Sequence, residues 1–115
     1  MPAPLEPLVT ADRLVHEPGR LAVLTILDAC KTADFRFLQA MTGLAQGNPS
    51  GHLSKLEQGG LITITKGFRG KYPRTTVQIT AAGRRALATH WAQLEASRKE
   101  ARGWRLWLRR YAPSR

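Results

Sequence analysis

Nine residues from Lys66 to Arg74 hold four cations, Lys66, Arg69, Lys71 and Arg74, and no acid. Gly67 and Gly70 let the chain bend among them. Cations at this density bind the phosphate oxygens of a polyanion. A polar set precedes them. On a helical wheel of about 100° per residue, Pro49, Leu53 and Leu56 centre one side of a segment over residues 46–58. Asn48, Ser54 and Lys55 lie on the opposite side with Ser50 at its edge, and Gln46 stands at the start of the segment. The amides of Gln46 and Asn48 can pair with an adenine edge, and Lys55 can reach guanine or phosphate. Ser50 and Ser54 are short and suit either. Gly47 and Gly51 share this face and offer no side chain, so base reading would rest on few groups. Taken singly, each set reads equally as a solvated surface.

A third set lies near the end of the chain. Ala101, Trp104, Trp107, Leu108 and Tyr111 fall within an arc of about 120° at helical spacing. Arg102, Arg105 and Arg109 lie opposite, and Leu106 breaks the pattern. Leu87, Trp91 and Leu94 upstream suit the same apolar surface or the core. A cationic helix with a tryptophan face can lie on an anionic membrane. Packing against a second protomer or the N-terminal helix is the commoner use, and a homodimer is expected in preference to membrane binding.

Enzyme chemistry is poorly represented. His16, His52 and His90 are scattered, with only Glu17 adjacent to one of them. His52 is expected to hydrogen-bond locally or pack at the helix rim. Cys30, the single cysteine, sits on an apolar helix and is expected to be buried rather than a redox sensor. There is no phosphate-cradling glycine loop, paired catalytic carboxylate or nucleophile–base arrangement. No enzyme, metal or cofactor is expected.

The chain has 115 residues, enough for one domain. Its composition, 43% hydrophobic and 23% charged, is that of a globular protein. The net charge of +10 is placed unevenly. Residues 1–58 hold five basic and six acidic side chains, whereas residues 59–115 hold thirteen and two. A one-sided field of this kind favours nucleic acid or an anionic surface as partner. The longest apolar run, residues 21–27, is too short to cross a bilayer. The proline- and acid-bearing start does not resemble a signal peptide. A cytoplasmic, nucleoid-associated protein is expected.

The elements that would position these groups can be read in order. Residues 1–9, with three prolines, predict an extended lead-in. Thr10 can cap a short helix through Val15. Pro18 opens a helix over residues 18–30, and Lys31 to Ala33 form an extended link. Asp34 caps a helix to about Met41 with Phe35, Leu38 and Met41 inward, and Thr42-Gly43 ends it. The helix over residues 46–58 follows; Pro49 favours a start near Gly47 or Asn48, with Asn48 as a possible cap. Gly59-Gly60 stops it. Residues 61–66 and 75–80 alternate and flank a loop with Gly67, Gly70 and Pro73, the pattern of a hairpin. Phe68 and Tyr72 could pack beneath it or touch sugar. Thr80 caps a long helix to about Arg102, its first turn weakened slightly by Gly83, and Gly103 kinks or ends it.

Three helices, a hairpin with a basic tip and a further helix form the order of a winged helix-turn-helix. The expected fold is mainly α with a small β-hairpin and a long C-terminal helix. Residues 10–97 would form the winged-helix domain and residues 98–115 a basic amphipathic, dimer-associated extension.

Residues 16–87 resemble the small winged-helix transcriptional regulators of the MarR and ArsR groups. The resemblance is carried by HEPGRLAVLTIL (16–27), GNPSGHLSKLEQGGLI (47–62), KGFRGKYPRTT (66–76) and ITAAGRRAL (79–87), in that order and spacing. The sequence departs from the pattern at Ala45, where Thr or Ser commonly caps the recognition helix, and at Pro49, where a branched aliphatic is usual. The resemblance implies a homodimer that binds double-stranded operator DNA, with terminal helices making the dimer. It leaves any small-molecule effector unspecified, because no residues here define its pocket. A winged helix used as a protein-interaction module is the alternative from another functional class.

Overall fold

The computed structural model describes residues 5–44 and 47–112. The elements run α1 (Glu6–Val9), α2 (Pro18–Cys30), β1 (Thr32–Asp34), α3 (Phe35–Thr42), α4 (Pro49–Gln58), β2 (Ile62–Arg69), β3 (Tyr72–Ile79), α5 (Ala81–Gly103) and α6 (Arg105–Tyr111). This is the expected order, with three local differences. Residues 6–9 are one turn of helix rather than extended, because Pro7 is tolerated in a first turn. Thr10 closes that turn instead of opening the next: its N–H and Oγ1 both bond the Glu6 carbonyl at 2.9 Å. Residues 11–17 then form an irregular arm, anchored by buried Ala11 and Val15.

Side chains that satisfy free backbone N–H groups start four of the helices. Glu17 accepts from Gly19 and Arg20, Asp34 from Phe37, Asn48 from Gly51, and Thr80 from Gly83. The core joins Val15 of the arm, Val23, Leu24 and Leu27 of α2, Leu38 of α3, and Leu53 and Leu56 of α4. Leu61, Ile62, Val77, Ile79 and Leu87 complete it. In α3 only Leu38 is buried; Phe35 is half-buried and Met41 is 60% exposed. Phe35 and Thr42 lie to one side of Leu38 on the wheel, and Met41 lies about 60° to the other, beyond the buried stripe. Cys30 is exposed rather than buried. It ends α2 a turn past Leu27, where the chain leaves for β1.

The sheet is antiparallel in the order β1-β3-β2. The link after α2 is its third strand, with Thr32, Ala33 and Asp34 opposite Gln78, Val77 and Thr76. The hairpin is longer than expected. It pairs Ile62 with Ile79, Lys66 with Thr75 and Arg69 with Tyr72, and closes over Gly70 and Lys71. Gly70 has φ +63°, a left-handed conformation that glycine adopts without strain. Pro73 is accommodated in β3 because β1 pairs only with Thr76 to Gln78, leaving that edge free. Gly83 has a packing role. A Cβ there would run into the carbonyl of Leu61, so glycine lets the first turn of α5 rest against the start of the wing.

Candidate nucleic-acid interface

α4 and the hairpin are held side by side. β2 is an edge strand with free N–H groups, and the Ile64 N–H donates to Glu57 Oε2 of α4 at 3.2 Å. Between them lies an open groove of about 600 Å³, lined on α4 by Ser50, Leu53, Ser54 and Glu57. Ile64, Lys66, Thr75 and Phe35 line the facing side. A second depression of about 300 Å³ shares Phe35 and Thr75 and continues to Arg36, Arg69, Tyr72 and Arg74. The polar side of α4 and the cationic hairpin therefore belong to one concave surface.

The expected recognition residues are distributed unevenly over it. Ser50 and Ser54 line the groove. Lys55 is exposed but one step around the helix from that lining. Gln46 lies outside the described residues, as does Ala45. Asn48 is the cap: its Oδ1 accepts the Gly51 N–H at 3.1 Å. Pairing with an adenine edge requires both amide groups, and here only Nδ2 remains free of the cap. Gly51 belongs to the same arrangement, since a Cβ there would collide with the Asn48 side chain.

On the wing, Lys66, Arg69 and Lys71 are exposed. Arg74 is partly held within the protein, with its Nε 3.9 Å from Asp34 Oδ2. Phe68 and Tyr72 are 76% and 77% exposed, so neither packs beneath the hairpin. Arg36 is a functional candidate that the sequence reading missed. Its proximity to Arg69 and Arg74 depends on β1 pairing with β3, which brings the first turn of α3 beside the wing.

Behind α4 lies a polar cluster. His52 is engaged at long range in sequence rather than locally as expected: its Nδ1 lies 3.1 Å from Arg20 Nη1 and 3.4 Å from Glu17 Oε2. Burial pushes the Glu17 carboxyl up. The N–H groups of Arg20 and Gly19 and the charges of His52 and Arg20 outweigh that, leaving its pKa below the usual value. The other two histidines, scattered in sequence, meet in space. His16 Nδ1 is 3.3 Å from Nε2 of buried His90 and joins the arm to α5. Burial, and then the neighbouring His16, lower the His90 pKa. Among the described residues no three His, Cys, Asp or Glu side chains group as metal ligands.

The surface assigned to dimerisation needs one correction. Leu87 is 2% exposed and belongs to the chain's own core, the other of the two places expected for it. Leu94 and Trp104 are half-buried. Trp91, Trp107, Leu108 and Tyr111 are between 42% and 58% exposed. Trp104 and Trp107 meet edge to face at 5.2 Å, and Trp107 packs on Tyr111 at 5.0 Å. Gly103 ends α5, and α6 restarts the chain after Trp104 with this aromatic row on it. No helix among the described residues is long and apolar enough to cross a membrane.

Comparison with known proteins agrees with this geometry. Residues 20–97 match the family described as winged helix DNA-binding domain. An uncharacterized protein of Methanocaldococcus jannaschii is 30% identical over 78 residues, 68% of this chain and 85% of its own. A solved structure described as a transcriptional regulator homologue from Pyrococcus horikoshii superposes with a TM-score of 0.72 at 29% identity. That match covers 79% of this chain and 92% of the other. A MarR-family transcriptional regulator from Silicibacter pomeroyi shares the fold, with a TM-score of 0.60 at 24% identity over 87% of this chain and 64% of its own. With residues 20–97, well over half of its length, matched in this way, the chain belongs to the winged helix DNA-binding domain family.

Proposed function

We propose that this protein is a transcriptional regulator that binds duplex DNA as a homodimer. α4 enters the major groove and the wing, residues 66–74, lies on the flanking backbone or minor groove. The observation that carries this reading is the continuous surface from Ser50 and Ser54 through Lys66 to Arg69 and Arg74. A helix is of a size to enter the major groove, and cations beside it meet the phosphates that border that groove. The exposed aromatic row of α6, with Trp91, would pair with its copy in a second protomer. Two-fold symmetry then requires a roughly palindromic site with half-sites about one helical turn, or a multiple, apart. Occupying a promoter would most simply repress it by excluding polymerase, and activation fits the same surface equally.

Selection of bound sites from random duplexes, at a stated salt concentration, tests class, dimerism and specificity together. A palindrome is the expected result. Recovery of unenriched sequence, with no duplex bound at low salt, would refute the proposal.

A further inference from the structure

Arg20 is only 8% exposed, and each of its three guanidinium nitrogens has a partner. Nε donates to the Leu14 carbonyl at 2.7 Å, Nη2 to the Arg13 carbonyl at 3.1 Å, and Nη1 lies 3.1 Å from His52 Nδ1. Glu17 Oε2 completes the cluster, 4.0 Å from Nη1. The partners come from three places: the irregular arm, the cap of α2 and the middle of α4. A well-packed apolar side chain often stabilises a fold as much as a buried ion does. What a planar guanidinium adds is fixed direction, because its donors diverge in one plane.

The side of α4 that Arg20 grips is the one turned away from the groove. His52 lies about 160° around the helix from Ser54 and is absent from the groove lining. Two close approaches reinforce the grip. A Cβ on Gly19 would press on His52 and Leu44, and one on Gly59 would strike Leu14 of the arm. The arm thus touches the end of α4 while Arg20 holds its middle.

We infer that Arg20 is a positioning residue for DNA recognition: through His52 it sets the rotation and depth at which α4 presents Ser50 and Ser54 beside Lys66. This rests on the reading that α4 enters the major groove. His52 Nδ1 is the single atom at which both Arg20 and Glu17 meet α4.

The test uses the full chain, a selected duplex and an unrelated duplex, with anisotropy at fixed salt and circular dichroism to establish that each variant is folded. Arg20→Lys keeps the charge but cannot span the same partners. It should bind the selected duplex about tenfold more weakly, a change equal to about 1.4 kcal/mol, while binding to the unrelated duplex hardly changes. His52→Ala should lose affinity similarly. His52→Gln, whose amide oxygen still accepts from Arg20, should restore it. A folded Arg20→Lys with the wild-type ratio of selected to unrelated binding would overturn the proposal. Failure of the wild-type chain to bind any duplex would sink the underlying reading and this proposal with it. Binding by wild type with unaltered variants sinks the proposal alone.

Discussion

Replacing Arg69 and Lys71 together by Ala removes two exposed wing cations without touching a buried side chain. Neither has an ion-pair partner among the described residues, whereas Arg74 leans on Asp34 at 3.9 Å. The hairpin pairs Lys66 with Thr75 and Gly67 with Arg74, so the strands beneath the tip keep their register. If four cations per protomer meet phosphate, a dimer makes about eight contacts, and log K should fall with log salt at a slope near −7. The double variant removes about four contacts per dimer and should bring the slope to about −3.5, at roughly −0.9 per contact. The assay is duplex binding by anisotropy from about 50 to 200 mM salt, a range over which such contacts are strongly attenuated. Selected and unrelated duplexes should weaken alike, because phosphate contacts carry no direct sequence information. Arg74→Ala should change the slope less, since Arg74 must leave Asp34 before it can meet phosphate. An unchanged slope in the double variant would refute the placement of the wing on DNA.

Three further outcomes follow from the geometry. Asn48→Ala should cost about 1 kcal/mol of stability through the lost cap and relax preference at one base position; Asn48→Asp should keep the cap and lose the preference, because only Nδ2 was free to read. Equal preference in wild type and Asn48→Asp, in site selection, would remove Asn48 from the reading surface. Gly83→Ala should destabilise by about 1–3 kcal/mol in urea unfolding despite better helix propensity, because its Cβ meets the Leu61 carbonyl; a gain in stability would contradict that approach. The His90 pKa is lowered in the fold, so its contribution is complete above the unfolded value near 6.5 and is lost as pH falls from there through the folded value. Glu17, also lowered, acts in the same direction at lower pH. The melting temperature should therefore drop on acidification from about pH 7.5 to 5, and His90→Gln should flatten the upper part of that drop.

The order of elements could be read from the sequence because its strongest signals are local. Pro18, Asp34, Asn48 and Thr80 mark helix starts by their own chemistry, and alternation over residues 61–66 and 75–80 marks a hairpin. What could not be read depends on partners distant in the chain. Thr32 to Asp34 become a strand only by pairing with Thr76 to Gln78, and Arg36 joins the cationic surface only through that pairing. Met41 and Leu87 carry the same apolar signal, yet one is exposed and the other buried, because periodicity does not say how wide a buried stripe is or which body covers it. The groove between Ser54 and Lys66 follows from the Glu57 bond to the β2 edge, and nothing in the spacing of those residues announces it. Gly83 looked like a flaw in a helix until the Leu61 carbonyl appeared against it.

The 23 residues of α5 rise about 1.5 Å each and carry α6 well away from the wing. The chain measures 66 × 31 × 21 Å, with a radius of gyration of 18.2 Å, against about 13 Å for a globule of roughly this length. A single copy therefore tumbles and migrates as a heavier particle would. On a sizing column the monomer will elute early enough to pass for a pair, so its stoichiometry is to be weighed by scattered light rather than timed by elution.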